Sequence, residues 1–330
     1  MVISTPSQAL PRGYSVRGPR LDDAGAIADL VNASARAEIG MQVTTADRML
    51  AILSDPTRDV DDKGWLVFHA SGSLAASLDL YGYPPYTMFE FDGHVHPAHT
   101  GRGIGAFLLD TAEISARREM HRAAEGARVA LGTRVWGESV ATHRLLESRG
   151  FDHIRDWRRM EIDLATITSE PVPAAGITIR VMRRGRDERA IHETIEAAFA
   201  DHWGYAPTPY DEFVYYELDG APEFDPTLVF LAMDGEEVAG AVICRGSRAG
   251  DESIGWISSL GTRREWRGRG IGQALLLHAF GELRRRGRRA AGLSVDASSP
   301  TGADRLYERV GMREVRRDVI YEKVLRPAAG

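Results

Sequence analysis

The sequence predicts an α/β architecture built twice, as two tandem domains that each carry a mixed, mostly antiparallel twisted sheet flanked by helices. Three observations carry this. Alternating period-two and helical stretches run in the same order in both halves. Short motifs recur in that order too: Ser15-Val16-Arg17 with Asp22 and Asp23 returns as Thr178-Ile179-Arg180 with Asp187, and Leu66-Val67-Phe68 returns as Leu228-Val229-Phe230. Gly-Arg-Gly-Ile-Gly at 101–105 returns at 268–272, and Leu145 to Phe151 returns as Leu306 to Met312, so the chain reads as an old tandem duplication. Third, residues 169–176 (SEPVPAAG) hold two prolines, small residues and no apolar periodicity, which describes an exposed linker between domains 1–168 and 177–330.

In the second half, 176–180 reads as a strand and 190–200 as a helix, followed by an irregular or helical stretch to Asp225. Residues 227–233 and 238–245 form a hairpin, because the Asp234-Gly235 pair supplies the positive φ that a tight turn needs. A strand at 254–261 leads into a glycine-rich segment that opens a helix, with Ile271, Ala274, Leu275, Ala279 and Leu283 on one stripe. A strand at 290–295, a helix at 303–310 and a last strand at 315–324 close the unit.

The chain has 330 residues, roughly twice the ~100–200 of an average domain, and its 43% hydrophobic and 27% charged residues describe a folded protein rather than a disordered or fibrous one. The longest apolar run, Leu228 to Met233, is far below the ~20 residues that span a bilayer, and the opening MVISTPSQALPRG lacks the pattern of a secretory signal, so a cytoplasmic protein with no membrane partner is expected. The single cysteine, Cys244, rules out an internal disulfide framework and a multi-cysteine zinc site, and its place in a strand-like run suits a small core residue. A net charge of −6 argues against nonspecific nucleic-acid binding. Only Lys63 and Lys323 are lysines and neither follows a glycine as a P-loop requires, which excludes Walker-type nucleotide hydrolysis. No GxSxG or HExxH signature occurs, and His94, His96 and His99 lack a supporting ligand pattern, so no metal is expected.

The strongest chemical signal is Leu260-Gly261-Thr262, then a short loop, then Arg267-Gly268-Arg269-Gly270-Ile271-Gly272-Gln273 at a helix start. Glycines remove the Cβ atoms that keep an anion away, and the unpaired N–H groups with the helix dipole favour a pyrophosphate. Alone, such a segment is as readily tight packing as a phosphate site. Preceded by a strand, followed by an amphipathic helix and present twice, it becomes far more specific.

On these residues the chain resembles the GNAT superfamily of acyl-CoA-dependent N-acyltransferases, whose signature [Q/R]-x-x-G-x-[G/A] is met in full by Arg267 to Gly272. The resemblance covers nearly the whole chain as two such domains, a layout similar to that of mycothiol synthase and other double-domain acetyltransferases. It implies acetyl-CoA as cosubstrate, its pyrophosphate held by the loop amides, and a strand ending Ser259-Leu260-Gly261-Thr262 that directs an amide at the thioester carbonyl as an oxyanion donor. It also implies a role for Tyr307, in the helix Ala303-Asp304-Arg305-Leu306-Tyr307-Glu308-Arg309-Val310-Gly311-Met312. A phenol with reference pKa ~10 stays protonated at neutral pH and can protonate the leaving thiolate. Without the glycine loop, a half-buried core tyrosine would be the better reading.

The first half departs from the signature, with Thr100 at the Arg/Gln position and Leu146 opposite Tyr307, so it is expected to be noncatalytic, holding coenzyme A structurally or buttressing the other half. Family members often carry a glutamate on the strand before the loop, whereas Gly255-Trp256-Ile257-Ser258-Ser259 has no carboxylate. Asp251, Glu252 and His202 are the candidate bases, each also readable as a turn or structural residue. In this family the stretch after the first helix covers the acyl end of the donor. Here it holds His202, Trp203 and Tyr210 as candidate acceptor-binding residues, and between Thr208 and Pro226 six carboxylates and several aromatics but no basic residue. That composition suits a small-molecule amine with an apolar part, or else a solvated acidic helix face. The sequence therefore predicts an N-acetyltransferase acting as a monomer or homodimer. The alternative is a noncatalytic acyl-CoA-binding or regulatory protein.

Overall fold

The structure is a computed structural model that describes residues 9–55, 63–169, 171–221, 223–248, 251–299 and 302–329. The amino-terminal residues 1–8 of the opening stretch and Glu170 of the expected linker lie outside the described residues. Through the first half run β1 (Tyr14–Arg17), α1 (Ala24–Ile39), α2 (Ala46–Leu53), β2 (Gly64–His69), β3 (Leu74–Gly82), β4 (Met88–Val95), α3 (Ile104–Glu119), β5 (Val129–Trp136), α4 (Val140–Ser148) and β6 (Asp152–Asp163). Through the second run β7 (Ile177–Val181), α5 (Glu188–Phe199), α6 (Tyr210–Glu217), β8 (Val229–Asp234), β9 (Glu237–Arg245), β10 (Ile254–Thr262), α7 (Ile271–Arg285), β11 (Ala290–Asp296), α8 (Ala303–Arg309) and β12 (Arg313–Arg326). The predicted hairpin is β8–β9, with Gly235 at φ 59° in its turn.

The chain forms two compact units, and they do not divide at the linker. One comprises the described residues of Met1–Asp156 and Asp318–Gly330; the other is Trp157–Arg317. The boundaries fall inside β6 and β12, so each unit receives its last strand from the opposite half of the sequence. In the first unit β12 pairs antiparallel with β5, from Asp318↔Trp136 to Arg326↔Val129, and places Val319, Tyr321 and Leu325 in the core with α3. In the second, β6 pairs antiparallel with β11 from Trp157↔Asp296 to Asp163↔Ala290, and Met160 and Ile162, together with Leu164 just after it, pack against α7. Local sequence does not specify this exchange, because an apolar period-two run fits any edge whose register matches.

The second unit has the strand order β7-β8-β9-β10-β11-β6, antiparallel except where β10 meets β11. Alternate residues of β8 and β9 point to opposite faces, and both are covered. Phe230, Val242 and Cys244 pack with α7, while Leu231, Ala241 and Ile243 pack with Ile191 and Ile195 of α5 and Phe213 of α6. This sheet buried on both faces explains the long apolar stretches of β8 and β9. Cys244 is fully buried, and burial pushes its thiol up to about 12, in keeping with a core role.

Candidate active site

The second unit opens where two parallel strands part. β10 and β11 are in register only at Ile254↔Ala290, Gly255↔Ala291 and Trp256↔Gly292, then diverge. A cleft of about 950 Å³ fills the gap, walled by residues 257–262 of β10 and 293–296 of β11. On its other edge β10 carries a β-bulge against β9: Ile257 faces Cys244 and Ser259 faces Ile243, leaving Ser258 as the extra residue. A bulge turns the local backbone out of the ladder. Here it does so inside the cleft, next to the segment predicted to present an oxyanion-binding amide. The corresponding β3–β4 pair of the first unit runs from Ala76↔Val95 to Gly82↔Phe89 without a register shift.

The glycine segment stands at the mouth of this cleft. Gly268 and Gly270 both sit at φ 77°, where a side chain is strained, and Gly270 caps α7 so that the first-turn amides have no carbonyl partner within the helix. Gly272 lets α7 approach α8, since a Cβ there would lie 3.3 Å from Leu306. Gly261 has a similar reason: a Cβ would meet Ala198 at 2.8 Å and Ile195 at 3.1 Å, so β10 and α5 touch at that point. Leu260, Gly261, Thr262, Arg267, Gly268, Gly270, Ile271, Gly272 and Gln273 all line the cleft. Arg269 is not on the wall and donates to Asp234 at 3.2 Å. The Arg267 guanidinium is engaged within the protein, donating to the carbonyls of Thr262 (3.3 Å) and Ala198 (3.0 Å) and to Asp201 (2.9 Å).

Tyr307 lies on α8 with 8% of its surface exposed, packed in the core shared with α7, and it lines the same cleft. Burial pushes its hydroxyl up to about 12, and among the described residues that hydroxyl has no hydrogen-bond partner. A protonated phenol facing a cleft with an unspent proton is what a leaving thiolate requires. Its counterpart in the first unit, Leu146, is an apolar core residue with 1% exposure.

Of the three acceptor-binding candidates the structure brings one into the cleft. His202 lines it, its ring edge-on to Phe199 at 4.5 Å between centroids. Trp203 is exposed and off the wall, and Tyr210 packs against His192 (5.6 Å) under Arg189 (4.3 Å) instead. The acidic stretch is largely paired: Asp219 with Arg184 at 3.1 Å, Asp225 with Arg286 at 2.6 Å, Glu217 with Arg245 at 3.4 Å. Of the acidic, aromatic stretch that the sequence singled out, Glu212, Phe213, Tyr216 and Glu217 do line the cleft, while sequence reasoning missed Trp157, Glu196 and Asp296 as cleft residues. Trp157 comes from β6, in the first half of the sequence, which no linear reading assigns to this site. Asp296 had a visible signal, the alternation of Ala291, Leu293 and Val295 in the core with Gly292, Ser294 and Asp296 on the other face. Asp251 and Glu252 are not on the cleft wall, and Asp251 accepts from Ser253 in a turn. In the first unit His94 pairs with Asp92 at 3.1 Å, His96 accepts from the Ala98 amide, and His99 bonds Tyr14 at 2.8 Å; no group of three metal-ligating side chains occurs among the described residues.

The acetyltransferase (GNAT) family model matches residues 33–151 and again 190–312. The chain belongs to the GNAT acetyltransferase family. It is an enzyme, a tandem GNAT with one domain match in each half, and the family uses acyl-CoA donors. Among solved structures it is similar to a GCN5-related N-acetyltransferase from Sphaerobacter thermophilus, with 34% identity, a TM-score of 0.79 and coverage of 97% of this chain and 98% of that one. It is also similar to the mycothiol acetyltransferase of Stackebrandtia nassauensis, 30% identical over 309 residues, covering 91% of this GNAT and 94% of the relative. The mycothiol acetyltransferase of Thermobispora bispora is 32% identical over 234 residues, or 69% and 74%. Among the described residues no helix is long and apolar enough to cross a membrane.

Proposed function

We propose that the chain transfers the acetyl group of acetyl-CoA directly to the amine of a small molecule in the cleft of its second unit, and that the first unit is noncatalytic. The observation that carries this is the convergence, on one cleft, of the β10 bulge, the positive-φ glycines before α7 and the protonated Tyr307. The amides of Gly268, Arg269, Gly270, Ile271 and Gly272 receive the pyrophosphate, and the β10 backbone at 260–262 binds the pantetheine arm. The amide turned out by the bulge stabilises the charge that develops on the thioester oxygen. Tyr307 donates its proton to the departing sulfur. In the first unit the glycine turn persists, with Gly101 at φ 71° and Gly103 at φ 85°, but the bulge and the tyrosine are both missing.

The names of the relatives, at 30% and 32% identity, make the unacetylated amine that a mycothiol acetyltransferase acts on the first acceptor to test. Glu212, Trp157 and Tyr216 on the cleft wall suit a positively charged acceptor with an apolar part. The test follows release of free thiol from acetyl-CoA with a panel of small amines, alongside calorimetric titration of the chain with acetyl-CoA. One binding site per chain and amine-dependent thiol release are expected. Failure to bind acetyl-CoA would overturn the reading.

A further inference from the structure

We infer that His202 takes the proton from the acceptor's ammonium group. The inference rests on reading the cleft as the acetyl-transfer site. Such a group is needed because an ammonium has no lone pair for the thioester carbon, and β10 offers no carboxylate at 255–259.

Among the described residues, three of the four carboxylates on the cleft wall are committed to other partners, and the fourth, Glu212, is the rival tested below. Glu196 accepts from the Tyr205 hydroxyl at 2.8 Å and from the Thr208 amide at 3.0 Å. Glu217 faces the buried Arg245, and Asp296 accepts from the Ser298 amide at 2.8 Å. His202 differs. Its backbone N–H is bonded to the Phe199 carbonyl at 2.8 Å and its ring is braced edge-on against Phe199, which fixes the imidazole while leaving both ring nitrogens without a hydrogen-bond partner among the described residues. Three charges act on it: Asp296 from β11, Arg267 from the turn before α7, and Asp201 beside it in the chain. Asp296 acts most strongly of the three and raises the proton affinity, but burial outweighs it, and the imidazole is held below its ordinary value. At pH 7 it is therefore neutral and able to accept.

One ammonium proton passes to His202, the amine nitrogen forms its bond to the thioester carbon, and the carbon–sulfur bond breaks. The thiolate takes the Tyr307 proton, and a second nitrogen proton restores the phenol. The products are the amide, coenzyme A thiol and a His202 imidazolium that returns its proton to solvent.

The experiment is the pH profile of kcat/KM from pH 5 to 9 on the full chain, with acetyl-CoA and one fixed amine acceptor. The wild type is expected to show an acid limb of one proton. His202→Gln is expected to lose that limb and at least ~100-fold in kcat, with the calorimetric affinity for acetyl-CoA unchanged. His202→Ala regains activity with added imidazole, a rescue that a merely structural histidine would not show. Asp296→Asn moves the limb to lower pH, because removing a negative charge lowers the proton affinity of the imidazole. An unchanged rate and limb in His202→Gln, or a limb abolished by Glu212→Gln instead, overturns this assignment while acetyl transfer itself stands. A wild-type chain that neither binds acetyl-CoA nor releases thiol overturns both.

Discussion

A fragment beginning after the linker should not fold, although it contains every residue of the glycine turn and Tyr307. Cutting the chain to residues 170–330 removes the second-unit part of β6, and with it seven register pairs to β11 and the side chains of Met160, Ile162 and Leu164, which are 0%, 4% and 0% exposed in the core under α7. Burying one such side chain stabilises by ~1.5–3 kcal/mol, so the three together contribute about 4–9 kcal/mol. A whole domain has only ~5–15 kcal/mol of net stability. The cut also takes Glu161 from Arg248, which donates to it at 2.6 Å from a position 9% exposed, and Arg158 from its partners Glu308 (2.9 Å) and Glu314 (2.7 Å). Meanwhile residues 318–326 would be left without the β5 edge they pair with. The fragment 157–317, which keeps its own sheet whole, is expected to melt cooperatively, and 170–330 to show no cooperative transition. Thermal melts followed by circular dichroism decide between them. Cooperative unfolding of both, with midpoints within a few degrees, would refute the claim that β6 is integral to the second unit.

Other outcomes follow from the same structure. Tyr307→Phe should lower kcat at least ~tenfold with acetyl-CoA affinity unchanged; a hydroxyl held at about 12 is ionised to only ~0.1% at pH 9, so steady-state profiles should show no alkaline limb from it below about pH 10. Leu146→Tyr, at the matching place in the first unit, should change turnover little. Gly270→Val forces a branched side chain to φ 77°, a strain of ~1–3 kcal/mol, and calorimetry should show acetyl-CoA binding weakened by about tenfold or more. Asp187 accepts from Arg180 and from the Arg183 amide, both at 2.6 Å, and the guanidinium holds its carboxyl below the usual range. The stability it contributes is thus present above its unfolded value of ~4 and lost as pH falls through the lower folded one. Urea melts of Asp187→Asn should show destabilisation at pH 7 that shrinks as pH falls below about 4.

Much of the second unit was legible because its signals are local. The Asp234-Gly235 pair announces the hairpin, and glycines at 268 and 270 announce the turn, since positive φ excludes other residues there as a matter of backbone sterics. The repeat of these signals made the doubled architecture readable as well. What stayed hidden depends on partners distant in sequence. Nothing in Asp152–Asp163 says that it completes a sheet begun after residue 176, nor that Trp157 ends in the cleft. Composition pointed to the acidic segment, parts of which, such as Glu212 and Tyr216, reach the cleft wall, but a count of carboxylates and aromatics does not reveal that Tyr210 turns to His192 or that Asp219 and Asp225 are matched by arginines.

Arg267 ties together two places that chemistry would keep apart. Its guanidinium reaches back from the glycine turn to the end of β10, to the last turn of α5 at Ala198 and to Asp201, the residue before His202, while Gly261 brings β10 against that same Ala198. The proposed donor anchor and acceptor wall are thus pinned to a single cation. On the proposed reading of the cleft, loosening this one cation would disturb the donor's turn and the acceptor's wall together.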